Sequence, residues 1–135
     1  MKYLLDTNTC VYLPNGNEIL KKKVEEIGVY SLLISNCVLA ELYVGAYNSK
    51  KIEENLKRID VFKKNLSLLS DSEESAKLFG KIKASLRTKG TIIDDFDILI
   101  ASIAIANNCI LATNNTDHFE RIEGLHIQNW LKTNV

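Results

Sequence analysis

Residues 30–48 read YSLLISNCVLAELYVGAYN, an extended apolar run at about 30–34 that passes almost at once into a helix from Asn36 to about Asn48. The same order recurs on either side. Upstream, MKYLLDTNT predicts a strand at 2–5, followed by helical segments near 7–13 and 17–27. Downstream come a charged amphipathic helix at about 50–64 and a short strand, SLLS, at 67–70. A long helix over 72–89 ends at Gly90, the usual place for a left-handed cap. A helix from near Asp94 to about Asn108, a strand CILAT at 109–113 and a last short strand HIQNW at 126–130 complete the chain. Short strands separated by helices predict an α/β fold, a small parallel sheet with helices on both faces. Sites in such sheets form beyond the carboxyl ends of the strands. That rule points to Asp6, to Ser35-Asn36 and to Thr113-Asn114-Asn115.

Composition narrows the class. At 135 residues the chain is expected to be a single domain, 1–135, able to bury about two-thirds of its unfolded surface. Apolar residues make up 46% and charged residues 25%, as in ordinary soluble domains. No apolar run reaches the roughly 18 residues of a membrane span, and no signal-peptide pattern opens the sequence. Three scattered cysteines, Cys10, Cys37 and Cys109, sit among apolar neighbours and suit buried thiols in a reducing cytoplasm. Two histidines and no CxxC pair argue against a zinc site. Basic and acidic residues balance at 17 each, so a polyanion partner would have to be held by local charge.

Three carboxylates stand in unexpected company. Glu41 has Cys37, Val38, Val44 and Gly45 at helical spacings of three and four, which places it on an apolar face. An unpaired buried carboxylate costs several kcal/mol or takes up a proton, so something must compensate it. A salt bridge to a lysine from a neighbouring helix is one answer. Asp97 directly precedes an apolar run, in IDDFDILIASIAIA, that reads as a core helix. Asp94, Asp95 and Asp97 could cap that helix or favour its positive end, yet one cap is enough. Asp6 could likewise cap the helix that follows it. Taken together, however, the three can converge on one sheet edge, where they would repel unless a cation joined them. All-oxygen ligands select a hard ion, Mg²⁺ or Mn²⁺, and such a site suits phosphoryl chemistry.

At this point the chain resembles a known family. LLDTN, ISNCVLAELYVGA, FGKIKASLRTKG with IDDFDILIA, and CILATNNTDHFERIEGLHIQNW are similar, in order and spacing, to motifs of PIN-domain ribonucleases, most closely the VapC-type toxins. The resemblance covers nearly the full length. It implies a PIN-like three-layer sandwich and a Mg²⁺-dependent endoribonuclease, with Mn²⁺ as a substitute ion. It further implies the toxin half of a type II toxin–antitoxin pair, commonly a homodimer, neutralised by a cognate antitoxin that inserts a segment near the active site. Carried over by position, the family's acidic residues fall on Asp6, Glu41 and Asp97, with Asp6 and Asp97 binding the metal. The fourth position, often aspartate, is Asn115 here, which brings no charge and makes one ion the expectation. Asp117 lies two residues further on, where its side chain would point differently. Thr7, Asn8 and Thr113 are expected to hydrogen-bond the carboxylates or to serve plain capping and turn roles.

Other features carry less. Lys77, Lys81, Lys83 and Arg87, with Lys89, make the 72–89 helix basic, either as a solvated face or as an RNA-backbone contact. Lys21-Lys22-Lys23 and Lys63-Lys64 read as solvated faces, His118 and His126 have no catalytic partner in view, and Trp130 reads as packing. Two rival functions stand beside the nuclease. A haloacid-dehalogenase-like phosphatase needs a second aspartate where Asn8 stands. A catalytically impaired PIN-like module that only binds RNA or a protein fits Asn115 but leaves Asp6, Glu41 and Asp97 unexplained.

Overall fold

The computed structural model describes residues 1–131. Among them five parallel strands form one sheet: β1 (Tyr3–Leu5), β2 (Leu32–Ser35), β3 (Ser67–Leu69), β4 (Ile110–Ala112) and β5 (Ile127–Gln128). Their order is β3-β2-β1-β4-β5, with Leu4 paired to Leu33 on one side and to Leu111 on the other. Helices α1 (Thr7–Tyr12), α2 (Glu18–Ile27), α3 (Asn36–Tyr47), α4 (Ile52–Lys63), α5 (Glu73–Thr88), α6 (Asp95–Ala106) and α7 (Thr116–Phe119) connect and flank the strands. This is the parallel α/β sandwich expected from the sequence. A central strand covered on both faces has no solvent side, and β2 is accordingly buried at all four positions.

Local chemistry sets the boundaries. Asn17, Ser35, Ser72 and Asp94 each cap a helix by accepting from a first-turn backbone N–H. At the end of α5, Gly90 adopts φ 70°, and Thr91 N–H reaches back to the Leu86 carbonyl at 2.9 Å, closing the helix as expected. The strand expected at 30–34 begins later: Val29–Ser31 form a 3₁₀ turn and β2 starts at Leu32. Gly28, at φ 90°, redirects the chain there, so fully exposed Tyr30 precedes the sheet rather than joining it. The four-residue α7 has too short a pattern to read in sequence.

The core gathers β1, β2 and β4 with α6, whose Ile98, Ile100, Ala101, Ile103 and Ala104 are all buried. Trp130 packs edge-on against Tyr3, ring centres 5.5 Å apart, as a packing residue should. All three cysteines are buried free thiols. Among the described residues no helix is long and apolar enough to cross a membrane.

The strand order reverses direction at β1. From β1 the chain proceeds outward through β2 to β3, then crosses back to β4 on the other side. The crevice beyond β1 and β4 is therefore the topological switch point, where open α/β sheets bind ligands.

Candidate active site

Asp6 sits at this switch point, one residue past β1 and only 6% exposed. Its backbone N–H donates to the Ala112 carbonyl at 3.2 Å, continuing the ladder to β4. Its side chain has two tasks. Oδ1 caps α1 by accepting from Thr9 N–H at 2.9 Å, and Oδ2 accepts from Thr113 Oγ1 at 2.5 Å. The cap expected of Asp6 is present, and the same side chain reaches the end of β4 through Thr113.

Glu41 projects from α3, half-buried rather than enclosed, because Val44 and Gly45 one turn on are exposed. Among the described residues it has no lysine or arginine partner, so the structural ion pair is not what compensates it. Burial pushes its carboxyl above the ordinary range; a hydrogen bond with Thr7 opposes this, and the charges of Asp97, Asp94 and Asp6 add to the rise. Asp97, in the first turn of α6, is also raised, chiefly by burial, with His118 opposing and Asp94 and Asp6 contributing. Carboxylates from three separate segments thus share one negative field.

Asp94 and Asp95 lie on the exposed side, as expected. Asp94 caps α6 through Phe96 N–H at 2.9 Å, and Asp95 pairs with Lys83 at 2.8 Å. Yet Asp94 is no bystander, since its charge reaches both Glu41 and Asp97. Sequence reading misses this because a cap can also face a site.

The supporting residues differ partly from expectation. Thr113 donates to the Asp6 carboxylate, and Thr7 shares a cleft wall with Glu41. Asn8 does neither: it is exposed and makes no side-chain hydrogen bond among the described residues. The role falls to Thr9, whose backbone holds Asp6 and whose Oγ1 donates to the Ala112 carbonyl at 3.4 Å. On a helix that starts at Thr7, the cap accepts from the third residue on, which puts Thr9 inward and Asn8 outward. Asn115 is half-buried at the start of α7, its N–H donating to Thr113 Oγ1 at 3.0 Å. It therefore joins the site through its backbone, while Asp117 is exposed.

His118 overturns its sequence reading. Its Nδ1 stands 3.4 Å from Asp97 Oδ2, so it has a partner in the site after all. Nothing in the linear pattern joins residues on α6 and the short α7. Lys83, expected among the RNA contacts, pairs with Asp95 at 2.8 Å. Lys77, Lys81 and Arg87 are exposed without an acidic partner among the described residues. The Lys83–Asp95 pair ties α5 to the end of α6 that carries Asp97, while Lys81 lines a cavity with Ile105, Arg121 and Gly124 by the other end of α6.

The donor set is oxygen-rich and negative, with one imidazole at its edge. No three His, Cys, Asp or Glu side chains among the described residues stand at mutual ligand spacing. A groove of about 910 Å³ between α2 and α4 contains none of the three carboxylates. A neighbouring cleft of about 270 Å³ includes Thr7 and Glu41 in its wall.

A parallel sheet with this switch-point acidic cluster defines the class, and comparison agrees: the chain belongs to the PIN-domain family, whose sequence model matches residues 3–125. Within that family its relatives are VapC proteins. It is 40% identical to Ribonuclease VapC2 of Rickettsia felis over 98% of this chain and all of that one. It is 34% identical to the tRNA(fMet)-specific endonuclease VapC of Salmonella typhimurium, covering 96% of this chain and 98% of that one. In three dimensions it is similar to a chain of the Rickettsia felis VapBC2 complex crystallised with a promoter DNA fragment, with TM-score 0.91, 39% identity, and coverage of 96% and 99%.

Proposed function

We propose that the protein is a divalent-metal-dependent endoribonuclease, one PIN domain over residues 1–135, serving as the toxin of a type II toxin–antitoxin pair in the cytoplasm. The observation that carries this reading is that Asp6, Glu41 and Asp97, from three separate segments, lie close enough for their charges to act on Glu41 and Asp97, and that among the described residues no arginine or lysine pairs with any of them. A hard cation relieves that repulsion. Carboxylate donors suit a hard ion that keeps several of its waters, as Mg²⁺ does, with Mn²⁺ as the substitute.

Asp6 and Asp97 would hold the ion, and Glu41 would complete its surroundings or orient the attacking water. When bound, the ion supplies charge neutralisation at the phosphate and a more acidic water. The chain does the rest. Thr113 and Thr9 fix both oxygens of Asp6. Thr7 would steer Glu41, and Asn115 would help from the fourth position. Lys77, Lys81 and Arg87 would hold the RNA backbone along α5. Relatives named as ribonucleases, one of them as specific for tRNA(fMet), support RNA as the substrate class. Solved VapBC complexes support a cognate antitoxin as partner, which would lie along the cleft beside Glu41. A homodimer is the expected assembly.

The test is cleavage of cellular RNA by the purified chain with Mg²⁺, with EDTA, and with Asp6→Asn. Cleavage restricted to the first condition, together with growth arrest on expression without the antitoxin, is the expected result. Growth as usual with folded, metal-loaded protein contradicts the toxin assignment. RNA binding unchanged by Asp97→Asn, with no cleavage by either form, would favour the impaired binding module.

A further inference from the structure

The contact between His118 and Asp97 is long, as is that of Thr9 Oγ1 with the Ala112 carbonyl, also 3.4 Å. At 3.4 Å it exceeds the roughly 2.7–3.2 Å of a good N–H···O hydrogen bond. It does match two donors on one cation: ligands about 2.1 Å from an ion, and at right to tetrahedral angles, stand roughly 3.0–3.4 Å apart. The backbone that carries the ring is held in place. Its helix is pinned by Phe119, 2% exposed, and by Asn115 N–H on the Thr113 hydroxyl that itself donates to Asp6. Meanwhile the His118 and Asp97 side chains are 47% and 25% exposed, which leaves an open side for water. No third acidic, histidine or cysteine side chain stands with them at ligand spacing among the described residues, so water would complete the shell of an ion held there.

We propose that His118 Nδ1 binds the divalent cation directly, beside Asp97, and that this nitrogen tilts the site from Mg²⁺ toward Mn²⁺. The inference rests on the metal-dependent reading above. It changes the chemistry of the donor set, because imidazole suits transition ions while Mg²⁺ favours carboxylate, carbonyl and water. His118 thereby becomes a residue that selects the ion, a role the carboxylates alone cannot fill.

Pulsed electron paramagnetic resonance of the untagged full chain loaded with Mn²⁺ reads this directly, since an imidazole nitrogen bound to Mn²⁺ modulates the echo. The chain has two histidines, and His126 lies at the other end of the strands, by Met1, Asn108 and Cys109. The nitrogen signal is expected in wild type and in His126→Gln, and is expected to vanish in His118→Gln. The same variant should raise the Kd for Mn²⁺ about tenfold or more and that for Mg²⁺ by less. Bound Mn²⁺ without imidazole modulation in wild type overturns the proposal and leaves the metal reading standing. A wild-type spectrum of free aqueous Mn²⁺ overturns both. Because the wild-type spectrum decides, a variant that fails to fold does not rescue the idea.

Discussion

Thr113 Oγ1 donates a 2.5 Å hydrogen bond to Asp6 Oδ2, joining the ends of β4 and β1 across 107 residues of sequence. The bond is buried and charge-assisted, and it fixes one carboxylate oxygen while Thr9 fixes the other. Asp6 therefore enters the site already oriented, which lowers the entropy lost when it engages a ligand.

Thr113→Val keeps the volume and removes the donor. Leaving a buried carboxylate oxygen unpaired is expected to cost about 1–3 kcal/mol of stability. Divalent-metal affinity should fall about 10–100-fold, as when other orienting partners of a ligand are lost. Thr113→Ser should restore most of both. Urea unfolding and calorimetric metal titration check the two effects separately.

Asp97→Asn and Glu41→Gln should abolish RNA cleavage yet stabilise the metal-free fold. Both carboxyls are raised by burial and by neighbouring negative charge, so their ionised forms are uncomfortable where they stand. A neutral amide removes that discomfort. Thermal unfolding in EDTA should give each variant a higher Tm than wild type, while activity is lost.

The same shifts set a pH dependence. A carboxyl with a raised folded pKa binds its proton more tightly in the folded state than in the unfolded one. Stability from Glu41 and Asp97 is thus present below the ordinary carboxylate range and is lost as pH rises through their raised values. Metal-free wild type should lose Tm across that window relative to the Glu41→Gln/Asp97→Asn double variant. Mg²⁺ should reverse the loss, and more strongly at higher pH, where no proton has to leave.

On the RNA side, replacing Lys77, Lys81 and Arg87 together by alanine should weaken RNA binding and flatten its dependence on salt. Each lost phosphate contact on a single strand lowers the slope of log K against log salt by about 0.7. Lys83→Ala should act differently, through the lost link to Asp95 rather than a lost phosphate contact. Filter binding across a salt series separates the two.

Much of this architecture is legible in the sequence, for physical reasons. The strand-to-helix junctions at Asp6 and Ser35 are marked by an apolar run ending in a capping residue, and α6 by its unbroken apolar composition. Those signals are local. They also bring out Asp6, Glu41 and Asp97, because a carboxylate beside an apolar run is visible one residue at a time. What sequence hides is pairing. Thr9 outranks Asn8 because of the direction a cap imposes, Lys83 is taken up by Asp95, and His118 meets Asp97 through a four-residue helix with no periodicity to announce it. Each depends on where two distant segments meet, information that no single stretch contains.

The central claim is that Asp6, Glu41 and Asp97 surround a place that a divalent cation completes. Calorimetric titration of Mg²⁺ into the metal-free chain, wild type against Asp97→Asn, tests it most directly. One ion per chain in wild type, with binding lost in the variant, is the predicted outcome. Absence of binding by folded wild type, or equal binding by both, would contradict it.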